Sequence, residues 1–439
     1  MSETIRKAEE AREASYALAN LTAEMKFRQL ERVAEAIWRK RAEILESNGR
    51  DLVAAQAMLD RGEITRALIQ RLELSPEKIR SITEMVRSVA LLDEPVGRTE
   101  YSMELDEGLE LFRVTSPIGV IAVIFESRPD ALVQIASLCL KSGNSVLLKG
   151  GSEVLHTNRR LFSIIREAAN ALPEGWIQLV EARKEIRELL ELDGYVDLIV
   201  PRGSNEFVRY IQDNTRIPVL GHAEGVCHIY VDREADVEMA LDICYDAKVQ
   251  YPSVCNAVDA LLVNDEIAVE FLPRMVERFV GAGVEVRGCC RVLEIVGINV
   301  IEATEADWGA EYLDLVVAIK VVDSPEEAID HVNTHGSHHT DAIVTSSEET
   351  AIRFMEYVDS ASVFWNASTR FCDGYRYGLG SEVGISTGKI HVRGPTGLEG
   401  LTTYKYYLKG GGHIVADYAS DGSKKFNHKP MDKMWRRKD

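Results

Sequence analysis

The octapeptide Gln250-Tyr-Pro-Ser-Val-Cys-Asn-Ala257 presents one thiol, Cys255, after a Pro-containing turn and just before the apolar run 260–263. A cysteine so placed can act as a nucleophile at the edge of a sheet. The thiolate is the reactive form, and it needs partial exposure and a local positive field. Read alone, the same residue also suits a small buried hydrophobe, the commonest fate of a free cysteine. Two other stretches put charge or glycine where chemistry needs them. Val146-Leu-Leu-Lys-Gly-Gly-Ser-Glu153 runs an apolar strand into Lys149 and a glycine turn. In a doubly wound sheet ligands bind beyond the carboxyl ends of strands, where Lys149 can meet a ribose hydroxyl or 2′-phosphate as a point charge, or simply end a strand at the surface. Arg202-Gly-Ser204 lies between an apolar run and a helical one. Backbone N–H groups at such a helix start suit a pyrophosphate, while Ser204 equally suits an ordinary N-cap.

Two tempting motifs fail on spacing. Gly384-Ile-Ser-Thr-Gly-Lys389 has three residues between its glycines and Ile390 after the Lys. A phosphate-binding P-loop needs four and a following Ser or Thr. His331, His335, His338 and His339 cluster, but Asn333 and Gly336 interrupt a clean helix and no nearby Cys or Glu completes a tetrahedral set, so no metal is expected.

The elements that must position these residues alternate along the chain. Residues 3–93 read as helices, with Leu18, Met25, Leu30, Val33, Ala36 and Ile37 at roughly helical spacing and Ser75-Pro-Glu77 as a helix start. Residues 101–114 alternate apolar and polar on both sides of Asp106-Glu-Gly108, a β-hairpin pattern. Apolar strand-like runs follow at 119–125, 145–148, 196–200 and 228–231, separated by helical segments at 130–141, 159–171 and 204–214. A second alternation fills residues 237–369, with strands near 260–263, 316–322 and 341–345, and the boundary between the two falls near 232–236. Strands alternating with helices predict parallel, doubly wound sheets. The basic stretch 424–439 reads as a solvated tail.

At 439 residues the chain exceeds what one core organises, so two or three domains are expected. The formal charge of −19 argues against a phosphate-backbone binder, so no nucleic-acid partner is expected; a small anionic ligand in a locally basic pocket stays compatible. Seven cysteines, odd in number and without a Cys-x-x-Cys pair, suit a reducing compartment. The start of the chain has no apolar core segment and no run approaches the ~20 apolar residues of a membrane span. A soluble cytoplasmic protein is expected.

Taken together, the motifs resemble the gamma-glutamyl phosphate reductase branch of the aldehyde dehydrogenase superfamily. The matching blocks include Ser116-Pro-Ile-Gly-Val-Ile-Ala-Val-Ile-Phe-Glu-Ser-Arg-Pro129, Leu138-Cys-Leu-Lys-Ser-Gly-Asn144, Ile199-Val-Pro-Arg-Gly-Ser204 and Gly225-Val-Cys-His-Ile-Tyr-Val-Asp232. They continue with Val254-Cys-Asn-Ala257, Gly336-Ser-His-His-Thr-Asp-Ala-Ile-Val344, Asn366-Ala-Ser-Thr-Arg370, Gly378-Leu-Gly-Ser-Glu-Val-Gly-Ile-Ser-Thr387 and Arg393-Gly-Pro-Thr-Gly-Leu-Glu-Gly-Leu-Thr-Thr403. The likeness runs from about residue 10 to about residue 415.

The resemblance implies an α/β fold of two doubly wound domains plus a small β oligomerisation element. By that reading residues 1–96 and 115–235 form an NADPH-binding domain, 97–114 an oligomerisation hairpin and 236–375 the nucleophile domain. Residues 376–439 return to the cofactor domain and carry an oligomerisation strand and the basic tail. It implies Cys255 as nucleophile, Lys149 at the cofactor ribose, Gly203 and Ser204 near the pyrophosphate, and Glu311 at the nicotinamide ribose. Asn256, Arg128 and Arg376 become candidates for the substrate and its phosphate by motif position. The implied reaction is NADPH-dependent reduction of L-glutamyl 5-phosphate, the second step of proline biosynthesis, by a homo-oligomer coupled to a glutamate 5-kinase. Two departures stand out. Oxidising relatives carry a Glu-Leu-Gly-Gly segment whose Glu activates water; here the stretch is Leu220-Gly-His-Ala-Glu-Gly225 and the base position falls near Gly221 or His222, which fits a reductase over an oxidative semialdehyde dehydrogenase. Tyr251 stands where an Arg is expected before the Pro. A catalytically silent scaffold on the same fold is the reading from another class, and retention of Cys255, Lys149 and Gly203-Ser204 counts against it.

Overall fold

The computed structural model describes residues 2–64, 66–126, 128–181, 184–203, 205–221, 224–419 and 424–435. The chain divides into two compact units, residues 1–220, 379–384 and 396–439 against 221–378 and 385–395.

The first unit opens with five helices: α1 (Glu3–Leu18), α2 (Ala23–Arg39), α3 (Arg41–Asp60), α4 (Arg66–Leu72) and α5 (Pro76–Leu91). Hydroxyl caps start α1, α2 and α5, where Ser2, Thr22 and Ser75 accept from the third backbone N–H beyond them. Next come β1 (Thr99–Asp106) and β2 (Leu109–Pro117), joined through Gly108 at φ +75°, a conformation glycine adopts without strain. The chain continues through β3 (Val120–Phe125), α6 (Pro129–Lys141), β4 (Ser145–Lys149), α7 (Leu155–Ala168), β5 (Ile177–Val180), α8 (Lys184–Leu190), β6 (Leu198–Arg202) and α9 (Asn205–Asp213). These strands form a parallel sheet in the order β5-β4-β3-β6. Every residue of β3 and β4 is buried, which is why both read as continuous apolar runs. Ala8 and Ala11 of α1 pack on Leu147 of β4 and on Val120, Ala122 and Ile124, which alternate along β3 and share one face.

The second unit holds β7 (Cys227–Val231), α10 (Val237–Val249), β8 (Val258–Asn264), α11 (Asp265–Gly281), β9 (Glu285–Gly288), α12 (Cys290–Val296) and β10 (Ile301–Glu302). It goes on with β11 (Val316–Val322), α13 (Pro325–His335), β12 (Thr340–Val344), α14 (Glu348–Tyr357), β13 (Ser362–Trp365), β14 (Ile385–Ser386) and β15 (Gly394–Pro395). A seven-stranded parallel sheet runs β10-β9-β11-β8-β7-β12-β13. Leu261 and Ile229 pack with Leu241, Phe271 and Leu272 of α10 and α11 on one face, while Tyr230, Leu262 and Ile343 meet Ala328, Val332 and Phe354 of α13 and α14 on the other. The doubly wound expectation holds.

The chain then returns to the first unit as β16 (Thr402–Lys409) and β17 (Lys429–Pro430), completing an antiparallel sheet β16-β2-β1-β17.

Three expectations change. Strand β7 bonds to β8 and β12, so the division falls between Leu220 and Gly221 and not near 232–236, and residues 376–378 and 385–395 belong with the second unit. An apolar strand reads alike in either sheet; only its hydrogen-bond partners assign it. Residues 424–435 are not a free tail: β17 pairs with β1, Lys433 Nζ reaches Glu110 at 2.5 Å, and the Trp435 ring meets Phe112 and Tyr407 with centroids 5.4 and 4.9 Å apart. The run Arg436-Arg-Lys438 lies outside the described residues. Finally, α13 continues through Asn333, whose amide donates to the Tyr357 carbonyl at 2.9 Å, so Asn333 does not interrupt it.

Candidate active site

Cys255 sits on the turn that joins α10 to β8, at the amino end of a central strand, and is partly exposed. A backbone bond from Ala257 N to Val254 O at 3.0 Å closes the turn around it. Behind it the backbone of Gly225 comes so close that a Cβ there would lie 2.5 Å from both the Cβ and the carbonyl oxygen of Cys255. Only glycine fits that contact. The buried Cys227 thiol donates to the Cys255 carbonyl at 3.2 Å. Burial holds the Cys227 pKa well above its ordinary value, so it stays a neutral donor, in contrast to the exposed Sγ a nucleophile requires.

A second segment is bonded to this turn. Thr369 Oγ1 donates to the Asn256 carbonyl at 2.7 Å, and Asn256 Nδ2 donates to the Cys372 carbonyl at 2.7 Å, leaving Asn256 Oδ1 buried without a partner. Between these ties lies Arg370, only 8% exposed, whose Nε donates to Gln250 Oε1 at 3.0 Å. Arg376 Nη1 in turn donates to the Arg370 carbonyl at 2.9 Å. Of the residues expected here, the fold thus brings Cys255, Asn256 and Arg376 together, Arg376 through the backbone of Arg370. Arg370 was visible only as the end of the block Asn366-Ala-Ser-Thr-Arg370; no spacing rule marks a residue more than a hundred positions from the thiol. Tyr251, at the expected Arg position, is 47% exposed.

Glu311 lies half-buried on the loop before β11, within charge range of Asp259. Burial raises the Asp259 carboxyl to about 6, against the opposing pull of Lys248, whose Nζ is 3.3 Å away. His331 and His335 share α13 with ring centroids 4.5 Å apart, and burial lowers His331 to about 2, leaving it neutral. Among the described residues no group of three or more His, Cys, Asp or Glu could hold a metal ion.

In the first unit, Lys149 ends β4, is buried and donates to the Gly150 carbonyl at 2.5 Å. Its strand partner is Val180, the residue before Glu181, so the carboxylate nearest in structure comes from the neighbouring strand and not only from Glu153. Arg159 binds Glu181 through both nitrogens, at 2.7 and 2.6 Å, and lowers its pKa, with Lys149 contributing. Neither Arg159 nor Glu181 was legible beforehand, because only the β4–β5 pairing juxtaposes them. Gly203 follows β6, and a Cβ on it would come 2.8 Å from Glu126 Oε2. Ser204 and His222 lie outside the described residues. Arg128 precedes α6 and pairs with Asp130 at 3.1 Å.

A buried-cradle thiol at the start of a central strand, in a chain of two parallel doubly wound sheets and an antiparallel sheet built on the β1–β2 hairpin, defines a class. The chain belongs to the aldehyde dehydrogenase family, whose model matches residues 2–285. Within it the chain belongs with the gamma-glutamyl phosphate reductases: it is 58% identical to that of Natronomonas pharaonis over 99% of this chain and 100% of the relative, and 55% identical to that of Haloquadratum walsbyi over 98% and 95%. The crystal structure of gamma-glutamyl phosphate reductase from Thermotoga maritima superposes with a TM-score of 0.90 at 41% identity, covering 94% of this chain and all of that one. Among the described residues no helix is long and apolar enough to cross a membrane.

Proposed function

We propose that this chain reduces L-glutamyl 5-phosphate to L-glutamate 5-semialdehyde and inorganic phosphate, using NADPH, as the second step of proline biosynthesis from glutamate. The observation that carries the reading is Cys255: a partly exposed thiol on a turn whose backbone is fixed by Gly225, Cys227 and Thr369, in a chain closely similar to named reductases over its whole length.

The Cys255 thiolate attacks the γ-carbonyl carbon, the carbon–oxygen bond to the phosphoryl group breaks, and inorganic phosphate leaves. A thioester remains on Cys255. When bound, a dinucleotide would supply the hydride that reduces this thioester. The tetrahedral thiohemiacetal oxyanion then collapses: an oxygen lone pair forms the aldehyde carbonyl, the carbon–sulfur bond breaks, and Sγ leaves with that pair as thiolate. Dividing the reduction this way replaces one hard step by two easier ones. The carbonyl oxygen carries negative charge in both, and backbone donors such as the Cys255 N–H would stabilise it. The position of the water-activating Glu in oxidising relatives falls near Gly221 or His222, so no carboxylate stands there to activate water.

The carboxyl end of the first unit's parallel sheet suits the adenosine half of a dinucleotide. Lys149 supplies a cation, Gly203 leaves the backbone bare beside Glu126, and α9 begins two residues later, so its N–H groups and positive dipole end suit a pyrophosphate. The β16-β2-β1-β17 sheet supports a homo-oligomer, since β16 is an open edge carrying Tyr404, Tyr406 and Leu408 in exposed positions.

The test is NADPH oxidation in the presence of a glutamate 5-kinase, ATP and glutamate, which supply the acyl phosphate. Kinase-dependent NADPH loss with semialdehyde formation is expected, together with phosphate-dependent reduction of NADP by the semialdehyde in reverse. Aldehyde oxidation that proceeds without phosphate would overturn the reading in favour of an oxidative dehydrogenase.

A further inference from the structure

We infer that the guanidinium of Arg370 is an anion site for the phosphoryl group of the acyl phosphate and the cation that favours the Cys255 thiolate, an inference that rests on the function proposed above.

Arg370 is an unusual charge. It is more than nine-tenths buried, and among the described residues the guanidinium's one hydrogen bond runs from Nε to the neutral amide oxygen of Gln250; Nη1 and Nη2 have neither an acceptor nor a carboxylate. A buried cation without a counterion is costly, so such a residue is retained where an anion completes it. Its position says which anion. Thr369, one residue before, is bonded to the carbonyl of Asn256, one residue after the nucleophile. Gln250, which orients the guanidinium plane, caps the helix that leads into the Cys255 turn. Two ties, Thr369 to Asn256 and Gln250 to Arg370, therefore hold the guanidinium within charge range of Cys255. The group that departs when Sγ attacks an acyl phosphate is a phosphate, and a planar fork of two N–H donors matches two of its oxygens.

The charged groups that face Arg370 agree with this assignment. Burial, then the neighbouring Arg376, disfavour its charge, while Cys255, Asp246 and Asp373 support it. Cys227, on the far side of the Cys255 carbonyl, feels Asp341 and Asp259 and stays protonated. The carboxylates act from longer range than an ion pair, so the thiolate and an incoming phosphoryl group are the anions left to complete the site. This also accounts for Tyr251: an arginine there is dispensable when the adjacent Gln250 holds Arg370 in the same neighbourhood.

The experiment uses the full chain without substrate and follows alkylation of the Cys255 peptide by iodoacetamide, with and without inorganic phosphate, across pH 5–9. In the wild type, phosphate should protect Cys255 saturably. In Arg370→Gln the protection should vanish and the pH midpoint of alkylation should rise by about one unit or more, the scale set by one opposite charge within a few ångströms. Arg370→Lys should recover part of both. Gln250→Ala, which keeps the charge and frees its orientation, should weaken phosphate protection severalfold and serves if Arg370→Gln does not fold. Unchanged phosphate protection in Arg370→Gln, or in Gln250→Ala where that variant must stand in for it, overturns the assignment, as does wild-type protection by glutamate but not by phosphate. A wild type that fails to consume the acyl phosphate in the coupled assay sinks the functional reading; a wild type that consumes it while Arg370→Gln keeps full phosphate protection sinks only the role of Arg370.

Discussion

Thr369 and Asn256 are joined by a hydrogen bond of 2.7 Å from the threonine hydroxyl to the asparagine carbonyl, across 113 residues of sequence. With the return bond from Asn256 Nδ2 to the Cys372 carbonyl, it makes the nucleophile turn and the segment 369–372 one rigid piece. Replacing Thr369 by Val keeps the shape and removes the donor, leaving a buried carbonyl unpaired at a cost of about 1–3 kcal/mol. Thr369→Val should lower the urea midpoint accordingly and reduce kcat about tenfold or more. A variant with full kcat would mean that the tie does not position Cys255.

Cys255 should be the one cysteine essential for turnover. Cys139, Cys227, Cys244 and Cys372 are buried, and burial alone pushes the Cys139 and Cys244 thiols far above the range where a thiolate forms. Cys255→Ser should cost orders of magnitude in rate while NADPH still binds, because a hydroxyl is a poor nucleophile at neutral pH. Retention of more than roughly a tenth of the activity would rule out the covalent route.

If the proposed reading holds, cofactor choice should turn on Lys149 and on the Arg159–Glu181 pair at the next strand end. Lys149→Ala should weaken NADPH more than NADH, by roughly ten- to a hundredfold for a lost charge-assisted contact. Arg159→Ala should act in the same direction, because it frees the Glu181 carboxylate to repel a 2′-phosphate. Dissociation constants for both cofactors in each variant decide the matter; equal losses for the two would mean that neither residue reads the phosphate.

Assembly should depend on the exposed edge strand. Tyr406 is exposed at the middle of β16, in register with Arg113 of β2. Tyr406→Glu places a charge in any apolar contact made there and should yield a smaller species by light scattering. An unchanged mass would remove this strand from the interface.

Acid should loosen the excursion 385–395. Asp359 accepts from Lys389 at 2.7 Å and from Arg393 at 2.8 Å, and these bonds, Lys389 first, lower its pKa to about 2. A carboxylate depressed in the folded state contributes stability that is present above the unfolded value near 4 and is lost as pH falls towards 2. The stability gap between wild type and Asp359→Asn should therefore be widest at pH 5, narrow below pH 4 and close only as pH falls through about 2, read as urea midpoints. A gap that does not narrow would assign the effect to packing.

Much of this was written in local pattern. The apolar runs of β3, β4 and β8, the hydroxyl caps of α2 and α5, and the glycine turn at Gly108 follow from neighbours a few residues away, where side-chain period and backbone sterics act. Cys255 was legible for the same reason: its Pro-containing turn and the apolar strand after it are contiguous. What tertiary structure alone decided is which strand pairs with which and what that pairing brings together. It moved β7 into the second sheet, set the Glu181 strand end beside Lys149, drew residues 429–435 onto the hairpin, and brought Arg370 within charge range of a thiol more than a hundred residues earlier. Hydrogen-bond partners across a parallel sheet, and the counterion a buried charge finds, depend on chain crossings that leave no period in the sequence.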